Sequence, residues 1–250
     1  LAGTHLNVIS THLLLLLTLP ALIFASHVVA EQKPALHWGY VHFPPYFVET
    51  APETAEGELA LLLQRVMQEL QLEMRAQQYP NRRMISLLNE GGLDLAMVMS
   101  SVLTQQHLYL RSAQPVAMLE LAVYWQPGTR PVRQLNDLYN SRLIVMSGYT
   151  YGGLREKLEP AYGLIRQLVE IEQHRLGIEA LELDRGEYFL SYRHTMPADS
   201  EQMLNHHILD SIEMFLWLRQ ALPNSGLLMQ QIDTLLARYN NEAPAEPVPK

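Results

Sequence analysis

Between Ala35 and Met99 the chain alternates strand-like and helix-like segments, and this rhythm restricts the fold more than any other feature. Ala35–Val41 (ALHWGYV) reads as a strand, and Phe43-Pro44-Pro45-Tyr46 closes it as a rigid aromatic turn. Leu59, Leu62, Leu63, Val66, Met67 and Leu70 recur at the spacing of one helix face. Leu72–Gln77 reads as a second strand. Asn81 is placed to cap a helix running through Leu88, and Gly91-Gly92 stops it. Leu93–Met99 (LDLAMVM) is a short apolar run between turn signals, the pattern of a strand buried on both faces. Three strands separated by two helices predict βαβ units and a parallel sheet.

The rhythm resumes with different spacing. Met118–Trp125 is strand-like, Leu143–Met146 is a buried strand, and Ser147–Gly153 (SGYTYGG) leads into a helix from about Leu154 to Leu158. A helix around His174–Leu183 precedes the strand-like Glu187–Tyr192, while Arg193–Asp210 is polar and carries no readable period. Ile212–Leu218 has the character of a long crossing strand. Leu228, Ile232, Leu235, Leu236 and Tyr239 stripe a last helix. The expected organisation is lobe one over 31–117, lobe two with a crossing strand over 118–210, a return to lobe one over 211–239, and a flexible tail over 240–250.

Composition removes several functions. With 18 Lys plus Arg, 26 Asp plus Glu and a formal charge of −8, the chain has no basic run, which argues against nucleic acid as a partner. It has no cysteine, so disulfides, thiolate metal sites and cysteine nucleophiles are excluded. P-loop, GxGxxG and GxSxG patterns are absent. Ten histidines include His206-His207, but no HExxH and no i,i+4 pair, so no metal site and no cofactor is expected.

Leu13–Ala25 (LLLLLTLPALIFA) is too short and too Pro-broken for a comfortable membrane span. Val28 and Ala30 supply the small residues of a signal-peptidase site, and Glu31, Gln32 and Lys33 follow at once. The expectation is a signal peptide over 1–30, cleaved after Ala30, and a periplasmic mature chain from Glu31. No Lys or Arg precedes Lys33, so the usual positive start of such a leader is missing. The competing reading is an uncleaved anchor helix.

The order of these segments resembles a type II periplasmic solute-binding protein, in particular the extracellular solute-binding family 3, the polar amino-acid-binding type. Phe43–Tyr46 resembles that family's PPF/PPY turn, and Glu56-Gly57-Glu58-Leu59 its G-x-x-x-D-L segment. Arg83, Leu87, Gly91 and Asp94-Leu95 are similar to the run leading to its third strand. Leu135–Leu138 with Arg142–Gly148 resembles the opening of lobe two, and Arg185–Tyr188 its G-x-x-D step. The resemblance implies a two-lobed α/β fold, each lobe a mostly parallel sheet flanked by helices. It also implies a monomer that captures a small solute between the lobes for an ABC permease or a membrane sensor. A dehydratase-like enzyme on the same scaffold and a degenerate, non-binding interaction module are the alternatives.

Ligands of such folds sit outside the carboxyl ends of the strands. The loops there supply the expected ligand-binding residues Phe43, Tyr46, Ser100, Ser101, His107, Gly148, Tyr149, Thr150, Tyr151 and Tyr192. No catalytic residue is expected: none of these loops carries an acid, and Glu49 and Asp184 lie nearest. Both charged anchors of an α-amino acid are missing. His107, in Thr104-Gln105-Gln106-His107, stands where the resemblance implies an arginine, with Arg111 four residues on. Tyr192 stands where it implies an aspartate. A neutral, aromatic or monoanionic solute is therefore expected, an anion being held by His107 as imidazolium or by the Gly148–Gly152 amides at a helix N-terminus.

Overall fold

A computed structural model describes residues 35–242. The expected signal peptide, its cleavage site and the tail from 243 onward lie outside the described residues. In chain order the strands and helices begin with β1 (Leu36–Tyr40), the hairpin β2 (Val48–Ala51) and β3 (Thr54–Glu56), and α1 (Glu58–Glu69). Then come β4 (Met74–Gln78), α2 (Asn81–Asn89), β5 (Leu95–Met99), β6 (Tyr109–Arg111) and β7 (Ala117–Trp125). The second part holds β8 (Arg142–Met146), β9 (Gln167–Ile171), α3 (His174–Glu182), β10 (Tyr188–Tyr192), α4 (Ser200–Met203), β11 (Asn205–Arg219) and α5 (Ser225–Glu242).

All strands but the hairpin join one sheet of order β4-β1-β5-β11-β7-β10-β8-β9, with β6 also paired to β11. Its flanks are parallel, β4-β1-β5 on one side and β10-β8-β9 on the other. Two antiparallel strands, β7 and β11, run through the centre. β11 pairs with β7 along Asn205–Met214 and with β5 along Met214–Leu218, so a single strand serves both halves. Its register slips between Ile208 and Asp210.

The first half is buried on both faces, as the unbroken apolar run of β5 requires. Leu95 and Met97 pack with Leu59, Leu63 and Val66 of α1 and with Ile232 and Leu236 of α5, while Ala96 packs with Met84 and Leu88 of α2 and with Trp217. α1 begins against the aromatic turn: the Glu58 and Ala60 amides donate to the Pro45 and Tyr46 carbonyls. Gly57 makes that approach possible, because its φ is +110° and a Cβ would lie 2.4 Å from the Pro45 carbonyl oxygen. The turn itself is closed by reciprocal Phe43–Phe47 backbone bonds of 2.9 Å.

Each half carries an acid at the closed end of its strands. Asp94 accepts the His37 amide at 2.9 Å and pairs with Arg219 at 2.7 Å. Glu187 accepts the Arg142 amide at 2.9 Å and contacts Arg166 at 3.3 Å. The two acids of the resemblance thus staple neighbouring strands, away from the strands' carboxyl ends.

Several expectations are corrected. Pro80, not Asn81, precedes the first turn of α2. The helix expected at Leu154–Leu158 is a 3-10 segment, Tyr151–Leu158, interrupted by left-handed Gly152 and Gly153. The polar stretch Arg193–Asp210 is a 3-10 turn, α4 and the start of β11, so the crossing strand begins at Asn205 rather than Ile212. Asn240, Asn241 and Glu242 continue α5 instead of opening the tail. Among the described residues, no helix is long and apolar enough to cross a membrane.

Candidate ligand-binding cleft

The carboxyl ends of β1, β4 and β5 face those of β8, β9 and β10 across a cleft, and the cleft is shut by side chains from both halves. Phe43 follows β1, Tyr149 follows β8 and Tyr192 ends β10. Their ring centroids lie 5.8 Å (Phe43–Tyr149), 5.6 Å (Phe43–Tyr192) and 5.7 Å (Tyr149–Tyr192) apart. The Phe43 and Tyr192 rings meet edge to face at 90°, the arrangement favoured by ring quadrupoles. Backbone closes the gap alongside. Gly148, at φ +74°, lies so near Asn81 that a Cβ would sit 2.9 Å from the Asn81 amide nitrogen.

Beneath these rings is a central cavity of about 70 Å³. Its apolar lining includes Met84, Met97, Met99 and Met214, and its polar groups are Asn81, Thr150 and tyrosine phenols. Burial holds the Tyr149 and Tyr192 phenols well above the ordinary phenol pKa, so both are neutral donors at pH 7. The Tyr192 hydroxyl donates to the Met99 sulfur at 3.1 Å. The Thr150 hydroxyl is buried with no hydrogen-bond partner in the protein.

On the other side of Tyr149 lies a larger, polar rim cavity of about 490 Å³, bounded by His42, Gln78, Asn81, Ser147, Glu172 and His174 among others. α2 and α3 both begin at its wall, and neither is capped by a side chain. His174 opens α3 with Nε2 2.8 Å from the Thr195 hydroxyl. That hydroxyl donates to the Tyr192 carbonyl at 2.7 Å, so its oxygen accepts from His174 Nε2–H, and Nδ1 of the neutral ring is left as an acceptor. Burial, helped by nearby His42, pushes His174 down to about 4.

The structure brings together five of the ten expected residues: Phe43, Gly148, Tyr149, Thr150 and Tyr192 all line the central cavity. Tyr46 is buried behind Phe43, its ring stacked at 5.5 Å. Tyr151, 1 % exposed, is a structural residue: its hydroxyl accepts the Met146 amide at 2.7 Å and donates to the Leu190 carbonyl at 3.1 Å. Ser100 and Ser101 line a separate cavity of about 400 Å³ beside β11, with Gly152, Asp210 and Glu213. His107 is exposed in the Gln106–Leu108 turn and lines none of these cavities, so it has no part in holding an anion there. The expected helix N-terminus at Gly148–Gly152 is also absent. Gly148, Tyr151 and Gly152 have φ values of +74°, +49° and +67°, and their amides do not align as a helix start.

Sequence reasoning missed the rim. Gln78 ends β4 and Asn81 follows it, and Glu172 and His174 follow β9, so the rule of strand carboxyl ends applied to all strands finds them. Glu172, not Glu49 or Asp184, is the acid on the cleft.

No protein-family model matches the chain, and no curated protein matches it in sequence. Solved structures do match. The ligand-binding core of GluR0 in complex with L-glutamate superposes with a TM-score of 0.66 at 16 % identity, covering 84 % of this chain and 93 % of that one. The fold is that of a two-lobed periplasmic binding protein. An ancestral arginine-binding protein bound to arginine gives a TM-score of 0.63 at 16 % identity, covering 84 % of this chain and 94 % of that one. An arginine third transport system periplasmic binding protein from Legionella pneumophila gives 0.59 at 14 % identity, covering 83 % and 94 %. Each of these three neighbours is named for binding.

Proposed function

We propose that the chain is a periplasmic solute-binding protein that closes its two lobes on a small, uncharged, aromatic or polar solute and passes it to an ABC permease or reports it to a membrane sensor. In this reading the leader is removed after Ala30. Lobe one is residues 31–117 with the segment that crosses back over 211–239, and lobe two is 118–210. One observation carries the choice of ligand: among the described residues, no Lys, Arg, Asp or Glu lines the central cavity, while aromatic rings from both lobes converge on it. A zwitterion placed there would leave both charges unpaired in an apolar surrounding, which costs several kcal/mol. An anion has no cation to meet, so the monoanionic option loses its support.

Binding energy comes from contacts that exist only when both lobes touch the solute, so capture and closure are one event. A ring sliding between Phe43, Tyr149 and Tyr192 replaces their contacts with one another. Thr150 and the phenols then supply orientation through hydrogen bonds. The supporting experiment is calorimetry at pH 7 with neutral aromatic solutes and with the common amino acids. Binding of the former, weakened at least tenfold by Tyr192→Ala, is the expected result. Micromolar binding of a zwitterionic amino acid, lost in Tyr192→Ala, overturns the ligand assignment. The enzymatic alternative draws on Glu172 and His174 sharing the rim cavity, and following a bound solute by NMR for turnover separates it from capture.

A further inference from the structure

Four of the chain's 11 methionines line the central cavity, in a protein that has no cysteine. Topology groups three of them. Met97 and Met99 are two apart on β5 and therefore point to the same face of the sheet. Met214 of β11 is paired directly opposite Met99. Side chains directly opposite on neighbouring strands start about 5 Å apart at Cβ, and a methionine has three flexible bonds with which to bring its sulfur inward. At least one sulfur already faces the cavity, since the Tyr192 hydroxyl donates to Met99 Sδ at 3.1 Å.

The chemistry of this donor set is selective. Thioethers are soft, uncharged ligands, which suit Cu(I) and offer little to Mg²⁺, Ca²⁺ or Zn²⁺. Hard and borderline ions find only neutral oxygens here: no carboxylate or imidazole lines the cavity, and no cluster of three or more His, Asp or Glu among the described residues is placed to hold a metal. Neutral ligands without a counter-charge also favour a monovalent over a divalent ion, because the cost of desolvation rises steeply with charge. Phe43, Tyr149 and Tyr192 also line the cavity, and an aromatic ring whose face meets a cation attracts it. With the rings in contact the volume of about 70 Å³ suits an ion, whereas a ring-sized solute needs them to separate.

We propose that Met97, Met99 and Met214 form a thioether site for one soft monovalent metal ion, Cu(I), on the floor of the cleft beneath the aromatic rings. The ion enters when the lobes part, and closure covers it with Tyr192 and Phe43. This goes beyond the solute reading and does not rest on it.

The test uses the purified protein under anaerobic, reducing conditions, titrated against the coloured Cu(I)–bicinchoninate complex. The expected result is withdrawal of one equivalent of Cu(I). Met99→Leu and Met214→Leu should each weaken binding at least tenfold, and the triple variant Met97→Leu/Met99→Leu/Met214→Leu should abolish it with its circular dichroism unchanged. His206→Ala/His207→Ala should leave binding as it was. A second measurement needs no variant: in protein carrying ¹³C-labelled methionine methyls, Ag(I) should shift the Met97, Met99 and Met214 signals and no others. Failure to withdraw Cu(I), full binding by the triple variant, or Ag(I) shifts confined to other methionines overturns the proposal. Solute binding is measured on chelator-treated protein, so failure of one reading is distinct from failure of the other.

Discussion

The two cavities of the cleft meet at Tyr149 and are built from different materials. The central one is small and apolar, walled by five aromatic residues and several thioethers, and its few polar groups are tyrosine phenols, the Asn81 amide and the unpartnered Thr150 hydroxyl. The rim one is about 490 Å³ and polar, with a carboxylate, two imidazoles, an orphaned Gln78 oxygen and the first turns of two helices around it. The central walls belong to strand ends already buried in the core, so their shape is fixed by packing. The rim walls come from the outermost strands β4 and β9 together with the loops after β1 and β8, where partly exposed residues supply chemistry instead. In the proposed reading, selectivity by fit resides in the centre, and response to charge and pH resides at the rim.

Three changes test that division, beginning with the largest. Tyr151→Phe removes the hydroxyl that supports the loop carrying Tyr149 and Thr150. It takes the Tyr151 acceptor from the buried Met146 N–H and the Tyr151 donor from the Leu190 C=O. The expected loss is about 4 kcal/mol in urea unfolding, with the central cavity loosened. A loss below about 1 kcal/mol would mean that this wall is not held by packing and hydrogen bonds as described.

The rim should reveal itself on acidification. His174 has a folded value of about 4 against an ordinary 6.5. Below pH 6.5 the unfolded chain therefore takes up a proton that the folded chain refuses until about pH 4. Stability is full above pH 6.5 and falls by about 3 kcal/mol between pH 6.5 and 4. Unfolding of the native protein and of His174→Gln at several pH values should show this slope in the former and a reduced one in the latter. Equal slopes would remove His174 from the account of the rim.

Gly148→Ala addresses the seam between the cavities. The left-handed φ and the Asn81 contact at 2.9 Å both oppose a methyl group. The expected cost is about 1–2 kcal/mol in stability. Small-angle scattering should show a larger radius of gyration as the lobes are held apart. An unchanged radius would show that this seam does not govern closure.

The legible part of this fold is the part whose side chains obey a period. β1, α1, β5, β8, α3 and α5 all bury a stripe or an unbroken apolar run, and each is visible in the sequence. The β2–β3 hairpin is mostly exposed and β9 is only partly buried, so neither imposes a pattern. The first half of β11 is polar for the same reason: it crosses the molecule without entering the core until Met214. Of the rings in the Gly-bounded loop, Tyr149 lines the central cavity while Tyr151 is buried beneath it, a difference that spacing alone does not show. The position of His107 follows from a resemblance in linear spacing, and spacing does not show that the Gln106–Leu108 turn carries the side chain to the surface. Met97 and Met99 read as ordinary core, since nothing in a single strand shows that Met214 will lie opposite.

That pairing joins residues made early to residues made late. β11 is the central strand of the sheet, yet only α5 follows it among the described elements. Until Arg219 has been synthesised, β5 and β7 have no strand between them, and each presents an open edge of unpaired amides and carbonyls. The first half cannot be sealed as it emerges, and the contacts that complete it close very long loops, a topology that folds slowly. Loss of the last stretch of chain would thus leave two incomplete sheets prone to pair with other chains, rather than a shorter version of the same protein.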